Sequence, residues 1–257
     1  MTKYKDQIFK YLVEILVVTI GILIAFALDN WNQNRNKKQQ EYEILNQINE
    51  DLKVVLQDLK NDFIIHKIAL KSHARIDSMT KYNIPYSEEM TFDFYWVKED
   101  EFIFPNKTGF EMLESFGTNL ISNLELRNSI SYVYNHDFPR ITKGNNLYPD
   151  IHEFLTPYYQ LHFKTNTNPE LAYKLTLEDN YTINYPREIK TGEISDMEFI
   201  GFSPINYNNI INNDEFKFLI SEAKKYRLYK YKMYKNTIQH VEEILVMLDN
   251  YLKTSDF

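Results

Sequence analysis

The sequence predicts a mainly α protein. We expect a single N-terminal transmembrane helix and then a helical bundle, built on a long antiparallel coiled-coil-like hairpin with a small irregular or short-strand insertion. One apolar run near the N-terminus has the length that a bilayer requires. Two later segments repeat apolar residues at spacings of three and four, as paired helices do. Only 6 glycines occur in 257 residues, which leaves little room for tight β-turns or phosphate-binding loops.

The apolar run covers residues 11–28 and contains one charged residue, Glu14. Extending it back to Ile8 gives the roughly 20 residues that cross a bilayer core. Tyr11 and Trp31 flank the run, as interfacial aromatic residues do. The sequence therefore predicts a transmembrane helix at 11–28.

A cleaved signal peptide and a buried core helix are the two alternatives to a membrane anchor. A signal peptide has a shorter apolar region and ends in small residues at a cleavage site. Here the polar segment 29–32 follows the run, and Ala25 and Ala27 match a cleavage site poorly. We therefore expect an uncleaved single-pass anchor that follows a short tail at 1–10.

The basic residues that flank the anchor decide its orientation under the positive-inside rule. Three precede it and three follow it, so their count is tied: Lys3, Lys5, Lys10, Arg35, Lys37 and Lys38. The free amino terminus favours an inside N-terminus. We expect a cell inner-membrane protein whose C-terminal domain is periplasmic.

Residues 29–41 are polar and are expected to form a juxtamembrane stalk. Residues 42–257 are expected to form one helical domain, which begins with a long helix at 42–80. Its apolar seam is Leu45, Ile48, Leu52, Val55 and Leu59. The seam then shifts register, and the sequence 83–85 ends the helix because the residue before a proline avoids the α conformation.

A second long helix is predicted at 213–253, with Asn213 as its N-cap. Its seam is the longest in the chain: Tyr231, Tyr234, Ile238, Val241, Leu245, Leu248 and Leu252. Two long helices with matching seams at opposite ends of one domain pair most simply as an antiparallel hairpin.

The middle of the chain is less regular in pattern. Residues 92–104 are rich in aromatic side chains and fit either short strands or an irregular cover. Middle helices are expected within 108–163, the first of them from Thr108 to Gly117. Residues 164–212 are rich in Asn, Thr, Pro and Tyr and are expected to form a long connection with little regular structure.

Several segments resemble an uncharacterised family of Bacteroidota single-pass membrane proteins, domain of unknown function 6090. The likeness covers about half the chain and is carried by Glu14-Ile15, Val18, Gly21–Ala25, Asn30-Trp31, Phe110–Leu113, Ser115–Gly117, Leu120–Asn123, Leu126-Arg127, Tyr132–Tyr134 and Asp214–Phe216. Phe116-Gly117 departs from it, because a small polar residue is expected before the glycine. The resemblance implies a membrane location and this outline, but no activity, cofactor or catalytic residue.

The residue types exclude several kinds of chemistry. Without cysteine the chain has no disulfide, no thiol nucleophile and no cysteine-ligated metal. Its histidines lack metal-binding spacing, and it has no nucleophile elbow, phosphate-binding loop or dinucleotide fingerprint. We therefore predict no catalytic residue, no metal site and no cofactor.

A basic run at 224–235 alternates with tyrosines, a composition that can stack on single-stranded nucleic acid. The net charge of −7 argues against such binding. Because Tyr231 and Tyr234 lie on the apolar seam, we expect these two rings in the core and the basic side chains either paired with acidic groups of the protein or solvated. An anionic lipid or macromolecule is the alternative, and nucleic acid is not expected.

Within the anchor, Glu14, Gly21 and Ala25 fall on one helical face. Gly21 and Ala25 form a small-xxx-small pair, which lets a second helix approach closely. A carboxyl inside an apolar span is costly, so it is usually protonated, paired or near the interface. Our hypothesis is that these residues pack against a second copy or a membrane partner. Snorkelling of Glu14 to the headgroups is the main alternative, and a proton or ion pathway is the third.

The expected function is that of a non-enzymatic scaffold or accessory subunit of a membrane complex. The alternatives are a one-span ligand-sensing module that acts through a partner, and a hydrolase with an unrecognised site.

Overall fold

A computed structural model describes residues 2–166, 173–176, 182–185 and 201–255 of the chain, with side chains at 14–166 and 201–255. Helices make up about 80% of it, so the mainly α class is confirmed. The α-helices within these residues are α1 (Thr2–Tyr82), α2 (Met90–Lys98), α3 (Thr108–Phe116), α4 (Leu124–Tyr132), α5 (Phe138–Ile141), α6 (Ile151–His162), α7 (Tyr207–Asn212) and α8 (Asp214–Thr254). A 3-10 turn covers Thr118–Leu120, and a π-helical turn, Val133–Asp137, joins α4 to α5.

Helix α1 is continuous through the predicted anchor, the predicted stalk and the predicted helix at 42–80. Its part from Glu14 onward is long and apolar enough to cross a membrane, and no side chain of the apolar window is buried. The helix ends at Tyr82, and Asn83 adopts a left-handed conformation with φ 48° just before Pro85.

Residues 90–98 form helix α2, so the expectation of strands or irregular structure at 92–104 is wrong for this part. The side chains of Phe92, Phe94 and Trp96 are all buried, as are those of Asp93 and Val97. A helix covered on every side needs apolar residues all round, and this removes the 3.6-residue periodicity by which helices are recognised. After α2, Ile103 makes a single parallel bridge with Thr142.

The region 164–212, expected to be irregular, contains short strands and a helix. Strand β1 (Phe163–Asn166) pairs antiparallel with β4 (Gly201–Pro204), and β2 (Tyr173–Thr176) pairs antiparallel with β3 (Thr182–Tyr185). Threonine and tyrosine suit strands as well as loops. The rest of this prediction, at 167–172, 177–181 and 186–200, lies outside the described residues.

The chain divides into two compact units. Unit 1 comprises residues 1–51, 107–127 and 246–257, and unit 2 comprises residues 52–106 and 128–245.

In unit 1, helix α3 packs closely on α1. A Cβ atom at Gly109 would lie 2.7 Å from the backbone nitrogen of Ile48, so only glycine permits this approach. The Gly109 N–H donates to Asp51 Oδ2 at 2.8 Å. Further along, the Ser122 N–H donates to Glu41 Oε1 at 2.7 Å, and Tyr251 Oη donates to the same oxygen at 2.9 Å.

In unit 2, the apolar core is formed by α1, α2, α6, β1, α7 and α8. Its buried members are Ile76, Met79, Met90, Phe94, Val97, Ile151, Leu155, Tyr158, Tyr159, Phe163, Ile210, Phe216, Ile220 and Ala223. Tyr159 Oη donates to the Phe94 carbonyl at 2.7 Å, which fixes α6 against α2. Contacts between α1 and α8 include the ion pair of Lys60 with Glu242 and the stacked rings of Phe63 and Tyr231.

Candidate functional site

The residues predicted to pack in the membrane lie on the exposed part of α1. Glu14, Gly21 and Ala25 are exposed, and a Cβ atom added at Gly21 would meet no heavy atom within 4 Å. Neighbouring apolar side chains are equally uncovered, with Phe26 at 64% exposure. This face is therefore open to lipid or to another helix as far as the described residues are concerned.

A group of polar side chains is buried inside unit 2, and we name it the buried charge cluster. Its members are Asp100, just after the end of α2; Arg227 and Lys230, both on α8; and His66, on α1. The side chains of Asp100 and Arg227 are 0% exposed, and that of Lys230 is 1% exposed. Charged side chains are almost never buried to this extent unless they are paired.

Asp100 is the centre of the buried charge cluster. Its Oδ2 accepts a hydrogen bond from the backbone N–H of Ile151 at 2.8 Å and another from the ammonium group of Lys230. Its Oδ1 lies 3.3 Å from Arg227 Nη1. Arg227 Nη2 donates to the carbonyl of Glu99. The carboxylate thus joins the start of α6 to α8 and is bonded through both of its oxygens.

Two buried cations face one fully buried carboxylate in this cluster. Burial lowers the pKa of Lys230 to about 8, although Asp100 acts in the opposite direction. The Lys230 Nζ lies 3.6 Å from the centroid of the Phe102 ring, close enough for a cation–π interaction. Because desolvation penalises each charge, the arrangement depends on these partners remaining in place.

His66 and His73 are buried on the face of α1 that contacts α8. Burial, and then the positive charge of Arg227, lower the pKa of both imidazoles well below the ordinary value. Both rings are therefore neutral at pH 7. Arg227 Nη1 lies 2.8 Å from His66 Nδ1, which must accept this hydrogen bond, so the proton of His66 is on Nε2. Neither His66 Nε2 nor the ring nitrogens of His73 have a hydrogen-bond partner within the described part of the chain.

Asp62 and Tyr234 form a further polar contact between α1 and α8. Asp62 lies one turn before His66 on α1, and Tyr234 lies one turn after Lys230 on α8. The Tyr234 hydroxyl lies 3.1 Å from Asp62 Oδ2 and 3.3 Å from the Glu101 carbonyl oxygen. Burial, and then the nearby charge of Glu101, raise the pKa of Asp62 from 3.8 to about 7. A sizeable fraction of this carboxyl is therefore protonated near neutral pH.

The basic run 224–235 lies against acidic and aromatic groups of unit 2. Lys224 pairs with Asp77, Arg227 and Lys230 pair with Asp100, and Tyr231 stacks on Phe63 at 4.8 Å. The sequence predicted either electrostatic pairing within the protein or plain solvation for this run, and the structure shows pairing for Lys224, Arg227 and Lys230. The sequence did not predict that Arg227 and Lys230 are core residues.

The spacing of buried residues on α8 identifies Arg227 and Lys230 as core residues. The buried face of α8 within unit 2 repeats at spacings of three and four without interruption: Phe216, Ile220, Ala223, Arg227, Lys230, Tyr234, Thr237, Val241 and Ile244. A seam that is traced through apolar residues alone is interrupted at Arg227 and Lys230. If the spacing of four and three is continued from Tyr234 toward the N-terminus of α8, it reaches Lys230 and then Arg227. On α1, a spacing of three and four also runs without a shift from Leu59 through Asp62, His66, Ala69 and His73 to Ile76.

The π-helical turn carries a second cluster. Asp137 Oδ1 lies 2.9 Å from His136 Nδ1, and its Oδ2 lies 2.6 Å from His240 Nδ1. The ring of Tyr132 stacks on that of His136. Despite this grouping, no set of three or more His, Asp or Glu side chains in the described residues is arranged to hold a metal ion.

Asp150, His152 and Glu153 have structural partners at the start of α6. Asp150 caps the helix by accepting from the Glu153 N–H at 3.3 Å. Lys98 Nζ lies 2.9 Å from His152 Nε2. The side chain of Glu153 pairs with Lys143, so all three residues have partners within unit 2.

Unit 2 also contains two polar cavities that none of these residues lines. One has a volume of about 430 Å³ and is bounded by β1, β4 and the segment before α2. The other, of about 510 Å³, lies beside the end of α6 and the helix α7.

Comparison with known proteins gives no assignment: no family model, no curated protein and no solved structure matches the chain.

Proposed function

We propose that the chain is a membrane-anchored helical domain that acts by binding, as a non-enzymatic scaffold or accessory subunit of a membrane complex. The observation that carries this proposal is the exposed apolar part of α1. From Ile15 to Trp31 its large apolar side chains are 47–64% exposed. Such a surface is larger than the apolar patches that soluble monomers expose, and it is stable in lipid or under a partner.

The proposal includes a location and an orientation. Residues 11–28 would cross the cell inner membrane with the N-terminus inside, and the domain from residue 42 onward would be periplasmic. The small residues Gly21 and Ala25, with Glu14 on the same face, would bind a second copy or a partner helix. The resemblance to domain of unknown function 6090 would imply the same location.

The proposal also includes an antiparallel, coiled-coil-like pairing of α1 and α8. Contacts within unit 2 support it, because residues later in α1 meet residues earlier in α8. Lys60 pairs with Glu242, whereas Asp77 pairs with Lys224. The spacing of buried residues on α8 agrees with a heptad seam.

Two measurements on cells test the location. Sodium carbonate should leave the protein in the membrane fraction, because a spanning helix is not held by surface charge. Protease added to intact spheroplasts should digest the region from residue 42 onward. Release by carbonate would contradict the anchor, and digestion only after lysis would reverse the orientation.

A one-span sensing module is the second candidate function. The observation that favours it is the continuity of α1, a single helix that carries both the proposed anchor and the polar face of His66 and His73 in unit 2. Such a module would act through a partner protein in the membrane. Crosslinking from Val18 should then capture the same partner at a ligand-dependent yield, whereas a scaffold would capture it at a constant yield.

A further inference from the structure

The cavity beside α6 and α7 has an unusual lining. Five of its ten lining residues are asparagines, at positions 206, 208, 209, 212 and 213. Its volume of about 510 Å³ lies within the range of small-molecule sites.

The hydrogen bonds of three of these asparagines orient their amides. Asn206 Oδ1 and Asn213 Oδ1 cap helices by accepting from the N–H groups of Asn209 and Phe216, at 3.1 and 2.9 Å. Their Nδ2 groups remain as donors. Asn212 Nδ2 donates to the Asn208 carbonyl at 2.9 Å, which leaves Asn212 Oδ1 as an acceptor. The cavity therefore presents amide donors and acceptors side by side.

Tyr158 adds an independent observation. Its side chain is 5% exposed, it lines the cavity, and its hydroxyl has no hydrogen-bond partner among the described residues. A buried hydroxyl without a partner is costly. Burial, and then the nearby Glu215, raise the pKa of this hydroxyl, so it remains protonated and able to donate.

The lining also limits the charge of a ligand. It contains no Asp, Glu, Lys or Arg, and its one titratable group apart from Tyr158 is His162. Leu161 and Ile205 line it as well and are 73% and 64% exposed. The lining therefore favours a neutral ligand that is rich in groups that both donate and accept and partly apolar on one face.

We propose that this cavity binds a neutral saccharide. Sugar hydroxyls donate and accept at the same atom, which matches paired asparagine amides and an unpaired tyrosine hydroxyl. The C–H face of a sugar ring would lie against Leu161 and Ile205. This inference is independent of the membrane anchor, because every residue of the cavity belongs to unit 2.

The test is saturation-transfer-difference NMR on the full chain in phosphatidylcholine nanodiscs, which carry no sugar. The probes are maltose, cellobiose and N,N′-diacetylchitobiose, with glucuronate as the charged comparison and a neutral blocked dialanine peptide as the rival amide ligand. At least one disaccharide should bind, and glucuronate should not.

Tyr158→Phe should weaken binding about 3–10-fold, which corresponds to the loss of one hydrogen bond. The variant should still fold, since the Tyr158 hydroxyl has no partner to lose among the described residues. Asn208→Ala with Asn209→Ala should weaken binding at least as much.

Two exposed residues outside the cavity supply matched controls: Tyr82→Phe and Asn236→Ala should leave the affinity unchanged. Binding of no disaccharide, or equal binding by Tyr158→Phe and the double variant, would overturn the proposal. Binding of the peptide in place of the sugars would overturn the ligand class.

Discussion

The exposed segment of α1 and the buried charge cluster reverse the usual distribution of side chains. From Ile15 to Trp31, large apolar side chains are exposed, whereas in unit 2 Asp100, Arg227 and Lys230 are buried. Both arrangements are unfavourable for an isolated chain in water. In our proposal the first is relieved from outside, by lipid or a partner. The second is relieved from inside, because each charge has bonded partners in the same unit.

This difference predicts where the protein is sensitive to substitution. Changes in the exposed segment should alter what the protein associates with and leave unit 2 folded. Changes in the buried charge cluster should alter the free energy of unfolding. The predictions below test this division, from the largest expected effect to the smallest.

The largest effect is expected from removing the negative charge of the buried charge cluster. Asp100→Asn leaves Arg227 and Lys230 as buried cations without their carboxylate, which should cost about 3–5 kcal/mol in the free energy of unfolding. Urea denaturation of the full chain in detergent micelles, followed by circular dichroism, measures this cost.

Lys230→Met is the matched control for Asp100→Asn. It leaves Arg227 paired with Asp100, with no buried cation deprived of its carboxylate, so it should cost clearly less than Asp100→Asn. Adding it to Asp100→Asn should recover part of the lost stability. Equal costs for the two single changes would show that charge balance does not govern this core.

A smaller effect is expected from a cavity on the apolar face of α1. Leu59 is 0% exposed, and Leu59→Ala should lower the free energy of unfolding by about 2–5 kcal/mol. Val54 lies on the same helix at 60% exposure, so Val54→Ala should stay within about 0.5 kcal/mol. The same denaturation measurement compares them, and similar losses for both would contradict the burial of this face.

The pH dependence of stability tests Asp62. Its pKa is about 7 in the folded protein and 3.8 in an unperturbed chain. Between these values the folded state binds the extra proton, so this group's contribution to stability falls as pH rises from about 4 to 7. Relative to Asp62→Asn, the wild-type protein should therefore lose stability between pH 4 and pH 7 and change little above pH 8.

His66 and His73 should act in the opposite direction. Their pKa values are lowered in the folded state, so their contribution is complete above pH 6.5, the unperturbed pKa, and is lost as the pH falls below it. Wild type and Asp62→Asn both contain His66 and His73, so the contribution of these histidines cancels in the difference between the two stabilities. A constant difference between wild type and Asp62→Asn across the whole range would show that Asp62 is not buried as described.

The sequence reveals the exposed segment much more readily than the buried charge cluster, for a physical reason. A uniform apolar run such as 11–28 is visible in composition alone. Arg227 and Lys230 look like solvated residues because their burial depends on Asp100, which is more than 120 residues away in the chain. Helix α2 was missed because a helix buried on all sides loses its periodicity. The asparagines around α7 suggested only a loop, since helix capping and cavity lining are not visible in composition.

The smallest effect on stability, and the clearest effect on association, is expected in the proposed anchor. Glu14→Leu and Gly21→Leu should weaken helix association in a membrane two-hybrid assay, because the first removes a polar contact and the second blocks close approach. Glu14→Gln keeps a hydrogen-bonding group and should largely preserve association. All three variants should keep the free energy of unfolding of the wild type, since Glu14 and Gly21 are exposed on α1 and a Cβ atom at Gly21 would meet no heavy atom within 4 Å. Leu16→Ala is a control on a different face of the same helix. If all three variants associate like wild type, the packing role fails, and Glu14 instead extends to the lipid headgroups.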